Sequence, residues 1–89
     1  MSVLTDFVEQ ENRWMQIFGR PPLSLAIAAD RQELAGRIDS QLSPESLTCD
    51  GELRGAAVQK KYRMLTTAAR QLKQVDPDVT FYEYSEEII

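Results

Sequence analysis

All four prolines of this chain stand at three places, Pro21-Pro22, Pro44 and Pro77, and they divide its 89 residues into three stretches long enough for helices. A proline has no amide proton, and its ring collides with the preceding turn, so no helix interior runs through these points. Whatever core the chain builds must come from segments that pack across those interruptions.

The first segment predicts a helix from about Val3 to Phe18. Leu4, Phe7, Val8, Glu11, Met15 and Phe18 recur at helical spacing, with Trp14 and Ile17 alongside. Ser2 can cap its start, and Gly19 suits the left-handed position after its last turn. The third segment predicts a helix from about Gly51 to Val75. Val58, Leu65 and Leu72 stand seven apart, flanked by Ala57, Met64, Ala68 and Val75, and Asp76-Pro77-Asp78 ends the run.

The middle segment, Leu23 to Leu42, reads in two ways. One continuous helix is favoured, because Leu23, Ile27, Leu34, Ile38 and Leu42 share a face and Ala26, Ala28 and Ala29 are helix formers. The alternative is a short strand alternating Leu23, Leu25 and Ile27, then a helix opened by the capping box Asp30-Arg31-Gln32-Glu33. Ser43-Pro44-Glu45 predicts a short further helix, and Cys49-Asp50-Gly51 a corner. Val79-Thr80-Phe81-Tyr82-Glu83-Tyr84 is rich in strand formers, and a lone strand cannot satisfy its backbone. It must pair with the segment near Leu23, pair with a second copy, or lie as an ordered extended tail.

The fold class is therefore mainly α: a small three-helix bundle with a long third helix and a short C-terminal extended or strand segment. The alternative is α+β, with a two-stranded sheet from 23–28 and 79–84. Residues 1–84 form one domain, and the acidic end 85–89 is expected to fray. Aromatic residues are only 8% of the chain, so its single core must be mostly aliphatic.

Charge is distributed unevenly. Arg54, Lys60, Lys61, Arg63, Arg70 and Lys73 fall in a stretch without one acidic residue, while the whole chain carries a net charge of −4. Lys60, Arg63, Arg70 and Lys73 fall on the polar side of the predicted third helix and form a candidate anion-facing stripe. Two plainer explanations compete. Cations are favoured at a helix C-terminus, and carboxylates on neighbouring helices can neutralise them. Lys61 lies inside the apolar arc between Val58 and Leu65. It either snorkels at the rim of the core or sets the register of an interface.

A helix of twenty-five residues spans roughly 37 Å. A compact domain of this size is only about 31 Å across. The long helix must then protrude, bend near Gly55 or meet another copy, which makes Val58, Lys61, Leu65 and Leu72 a candidate self-association seam. Packing of these residues within one chain is the simpler reading.

Catalytic chemistry has little to work with. There is no histidine and one cysteine, Cys49, so a thiol–imidazole pair, a zinc set and an internal disulfide are all excluded. A lone thiol suits a reducing compartment. The four glycines form no phosphate-cradling loop. Asp50 with Glu52, and Asp76 with Asp78, are carboxylate pairs at helix ends, where caps and turns ordinarily place them. No catalytic residue, cofactor or metal is expected.

Trp14, Tyr62, Tyr82 and Tyr84 are candidate partner-binding aromatics, since tyrosine and tryptophan are favoured interface anchors. The plainer reading places them at the rim of the core. The sequence points to a small non-enzymatic protein-interaction or regulatory module, with another protein, acidic in character, as its partner and a homodimer as one form. The alternative is a nucleic-acid-binding regulator using the basic stripe. The negative net charge and the scarcity of interleaved aromatics make nucleic acid the weaker choice. No apolar run approaches a membrane span and no basic leader opens the chain, so the expected setting is cytoplasmic.

Overall fold

The computed structural model describes residues 2–43 and 55–81. Three helices carry the fold: α1, Val3–Ile17; α2, Ala28–Gln41; and α3, Ala56–Val75. Among the described residues there is no strand. The short helix expected after Ser43, the corner at Cys49-Asp50-Gly51, the carboxylate pair Asp50 and Glu52, and Tyr82, Tyr84 and the tail lie outside the described residues.

The local signals of α1 act as the sequence predicts. Ser2 is extended and its hydroxyl accepts from the Thr5 amide at 3.1 Å. At the other end Gly19 takes φ +67°, the Arg20 amide donates to the Met15 carbonyl at 2.8 Å, and the Gly19 amide donates to Gln16. That pair of bonds is a Schellman turn, which closes the last carbonyls and needs a left-handed residue at Gly19.

The segment before α2 follows neither expected form. Residues 23–27 are not helical, and no sheet takes them up. Asn12 of α1 holds Leu23 instead: its Oδ1 accepts from the Leu23 amide at 2.7 Å and its Nδ2 donates to the Leu23 carbonyl at 3.0 Å. A side-chain amide thus presents the donor and acceptor that a neighbouring strand would have offered. The expected capping box also gives way. The helix starts two residues before Asp30, and the Asp30 carboxylate reaches back to accept from the Ser24 amide at 2.9 Å. Ile27, grouped with the core by helical spacing, is 52% exposed because it precedes the helix.

The C-terminal extended segment is resolved in the same way. Gln32 of α2 donates to the Thr80 carbonyl at 3.0 Å and accepts from the Thr80 amide at 2.9 Å. Lys73 donates to the Val79 carbonyl at 2.6 Å. Val79 and Phe81 then enter the core. Arg31 ties the two irregular segments together, donating from Nη1 to the Leu25 carbonyl and from Nε to Asp76 at 2.7 Å. This arginine, with the amide of Asp78, holds the Asp76 carboxyl below the usual aspartate range.

α3 begins at Ala56, after Gly55 at φ +59°, rather than at residue 51. Twenty residues make a rod of about 30 Å. That fits within the 35 Å longest dimension of the molecule, so its length alone demands no partner. α3 packs against both α1 and α2. Leu65, Ala68, Ala69 and Leu72 are fully enclosed there, among Leu4, Phe7, Met15, Leu34 and Ile38.

Candidate protein-interaction surface

The outer side of α3 is cationic. Lys60, Arg63 and Arg70 are exposed along about 15 Å of helix axis, at the 1.5 Å rise per residue of an α-helix. Lys73, expected to extend this stripe, is half-buried and turned to the Val79 carbonyl. The ion pairs among the described residues join Arg31 to Asp76 and Arg37 to Glu11 and Glu33. None of them uses a cation of α3. The cause lies in composition and packing together. α3 contains no acidic residue to serve as its own i+4 partner, and its polar side points away from α1 and α2.

The seam expected through Val58, Lys61, Leu65 and Leu72 is placed differently. Leu65 and Leu72 lie wholly inside the bundle, covered by the chain's own helices. No contact between folded copies runs through them. Val58 packs against the edge of that core, and Lys61 is half-buried at its rim.

Lys61 opens instead onto a groove of about 580 Å³ between α1 and α3. Phe7 and Gln10 line it from α1, Ala57 and Met64 from α3, Gln41 from α2, and Trp14, Lys60 and Lys61 stand around it. Glu11 also lines it, but that carboxylate is buried and accepts from the Gln41 amide at 2.5 Å, with Arg37 3.9 Å away. Its helical spacing put Glu11 on the core face; only the approach of α2 shows how the charge is matched.

Trp14 is 52% exposed, and its ring stacks on Phe18 at 6.3 Å. Phe18 and Ile17, which the helical period counted with the apolar side of α1, are exposed because the buried face of that helix ends at Met15. Their signal in the sequence was the four-residue spacing of Trp14 and Phe18, which stacks one ring over the other on a helix. Tyr62 is 40% exposed on α3. Asp76 serves as a turn former: its carboxylate holds Arg31 and accepts from the Asp78 amide.

No helix among the described residues is long and apolar enough to cross a membrane. Set against protein-family models, curated proteins and solved structures, the chain matches none.

Proposed function

We propose that this chain is a small non-enzymatic interaction module that binds an acidic partner protein through the outer face of α3. One observation carries the reading: Lys60, Arg63 and Arg70 stand exposed on one helix with no ion pair among the described residues. Neutralising side chains would have made the stripe a structural feature of the bundle. Left open, such a row raises the encounter rate with a negative partner and sets its orientation. The net charge of −4 argues against a polyanion as extended as nucleic acid, which the rest of the surface repels.

The test is fluorescence anisotropy of labelled polyglutamate and of labelled duplex DNA at low and physiological salt. Polyglutamate is expected to bind, with affinity falling as salt rises. Each exposed ion pair contributes about 0.2–1 kcal/mol. Changing Lys60, Arg63 and Arg70 together to Gln should therefore weaken binding by roughly 3- to 150-fold. Absence of binding at low salt refutes the proposal, and tighter binding to DNA than to polyglutamate assigns the stripe to nucleic acid instead.

A further inference from the structure

We infer that the groove between α1 and α3 receives an acidic amphipathic helix of the partner protein, with Trp14 as the apolar anchor and Lys60 and Lys61 as the charged rim. The inference rests on the reading of α3 as an acid-binding face and specifies what binds beside it.

The groove combines two chemistries. Its floor is apolar, from Phe7, Ala57 and Met64, and the large ring of Trp14 stands half out of the protein beside it. An exposed tryptophan in a concave site is a favoured interface anchor. On the α3 side, Lys60 and Lys61 have no carboxylate within 4 Å among the described residues. The one acid in the lining, Glu11, is committed to Gln41 and Arg37, which leaves these ammonium groups unmatched among the described residues. A partner stripe of apolar residues flanked by glutamates satisfies both halves at once.

The walls also decide the form of the ligand. Both are helices, whose backbone groups are bonded within each helix, so an added strand would find no edge to pair with. Recognition must run through side chains, as it does when a helix lies in a groove. Ala57 to Met64 covers about 10 Å, two helical turns, which matches partner anchors at i, i+4 and i+7.

Trp14 is the sole tryptophan, so the indole emission comes from that ring alone. The full chain is titrated with a synthetic helix of about four turns that carries leucines at i, i+4, i+7 and i+11 and glutamates beside them. The emission should move to shorter wavelength as the peptide buries the ring. Lys60→Gln with Lys61→Gln, and separately Trp14→Ala, should each weaken binding about tenfold or more, with circular dichroism confirming the fold. A version with lysine for glutamate should not bind. If the acidic peptide binds with the expected salt dependence but Trp14 emission stays still and Trp14→Ala binds as tightly, the groove inference fails while the cationic face stands. If neither this peptide nor polyglutamate binds, the underlying reading fails. An equal shift with anionic vesicles or single-stranded DNA overturns the choice of a protein helix. A shift that grows with protein concentration in the absence of peptide assigns the groove to a second copy.

Discussion

The amide clamps make a prediction that separates burial from bond count. Asn12 and Gln32 each make two hydrogen bonds to one backbone residue, with distances of 2.7 and 3.0 Å to Leu23 and 2.9 and 3.0 Å to Thr80. Counted as bonds, the two are equal. Leu23 is buried at 7% exposure, whereas Thr80 is exposed. Asn12→Ala leaves an amide and a carbonyl with little access to water, at about 1–3 kcal/mol per unsatisfied group. Allowing for partial hydration, the expected loss is about 2–3 kcal/mol. Gln32→Ala lets water take over, and the expected loss is about 0.5–1 kcal/mol. For a domain of this size each kcal/mol moves Tm by roughly 4–8 °C, so the midpoints should fall by about 8–24 °C and 2–8 °C. Urea denaturation followed by circular dichroism measures both free-energy losses and thermal melts both midpoints, and an unchanged urea slope shows that stability alone has moved. Equal losses for the two variants would refute the argument, because burial would then have no part in the clamp.

Three further outcomes follow. Leu72→Ala, at a position with no exposure, should cost about 2–5 kcal/mol and leave the sedimentation coefficient of the folded protein unchanged; a shift in oligomeric state would contradict its place inside the bundle. Gly19→Ala should cost about 1–2 kcal/mol from the φ of +67° alone, since nothing lies within 4 Å of an added methyl group, and a neutral result in thermal melts would count against the Schellman turn. The Asp76 carboxyl titrates below its unfolded value of about 3.9. Its stabilising effect is therefore complete above that value and disappears as pH falls through the folded pKa. Asp76→Asn should remove this part of the acid-induced loss, and identical pH profiles for the two proteins below about pH 4 would show that the Arg31 pair is not its source.

Much of the helical layout was legible because its signals act over a few residues. Ser2, Gly19 and the Asp76-Pro77-Asp78 stop mark helix ends through their own dihedral and hydrogen-bonding preferences, and the structure ends α1 and α3 where they predict. The cations of α3 were visible as a stretch without acids, a property of composition, whereas their lack of ion pairs among the described residues was not. The start of α3 was harder, since nothing local distinguishes a helical Gly55 from the left-handed one observed.

The sequence by itself determined that three helices form, where α1 and α3 stop, and which of them carries the positive charge. Tertiary structure decided the rest. Leu23 stays outside the helix with its backbone bound by Asn12, eleven residues earlier, and Thr80 is held the same way by Gln32, forty-eight residues away. Leu65 and Leu72 face α1 and α2 rather than another copy, and the apolar face of α1 stops at Met15, leaving Trp14 and Phe18 outside. Periodicity names the apolar side of a helix, but only the positions of its neighbours settle how much of that side is covered.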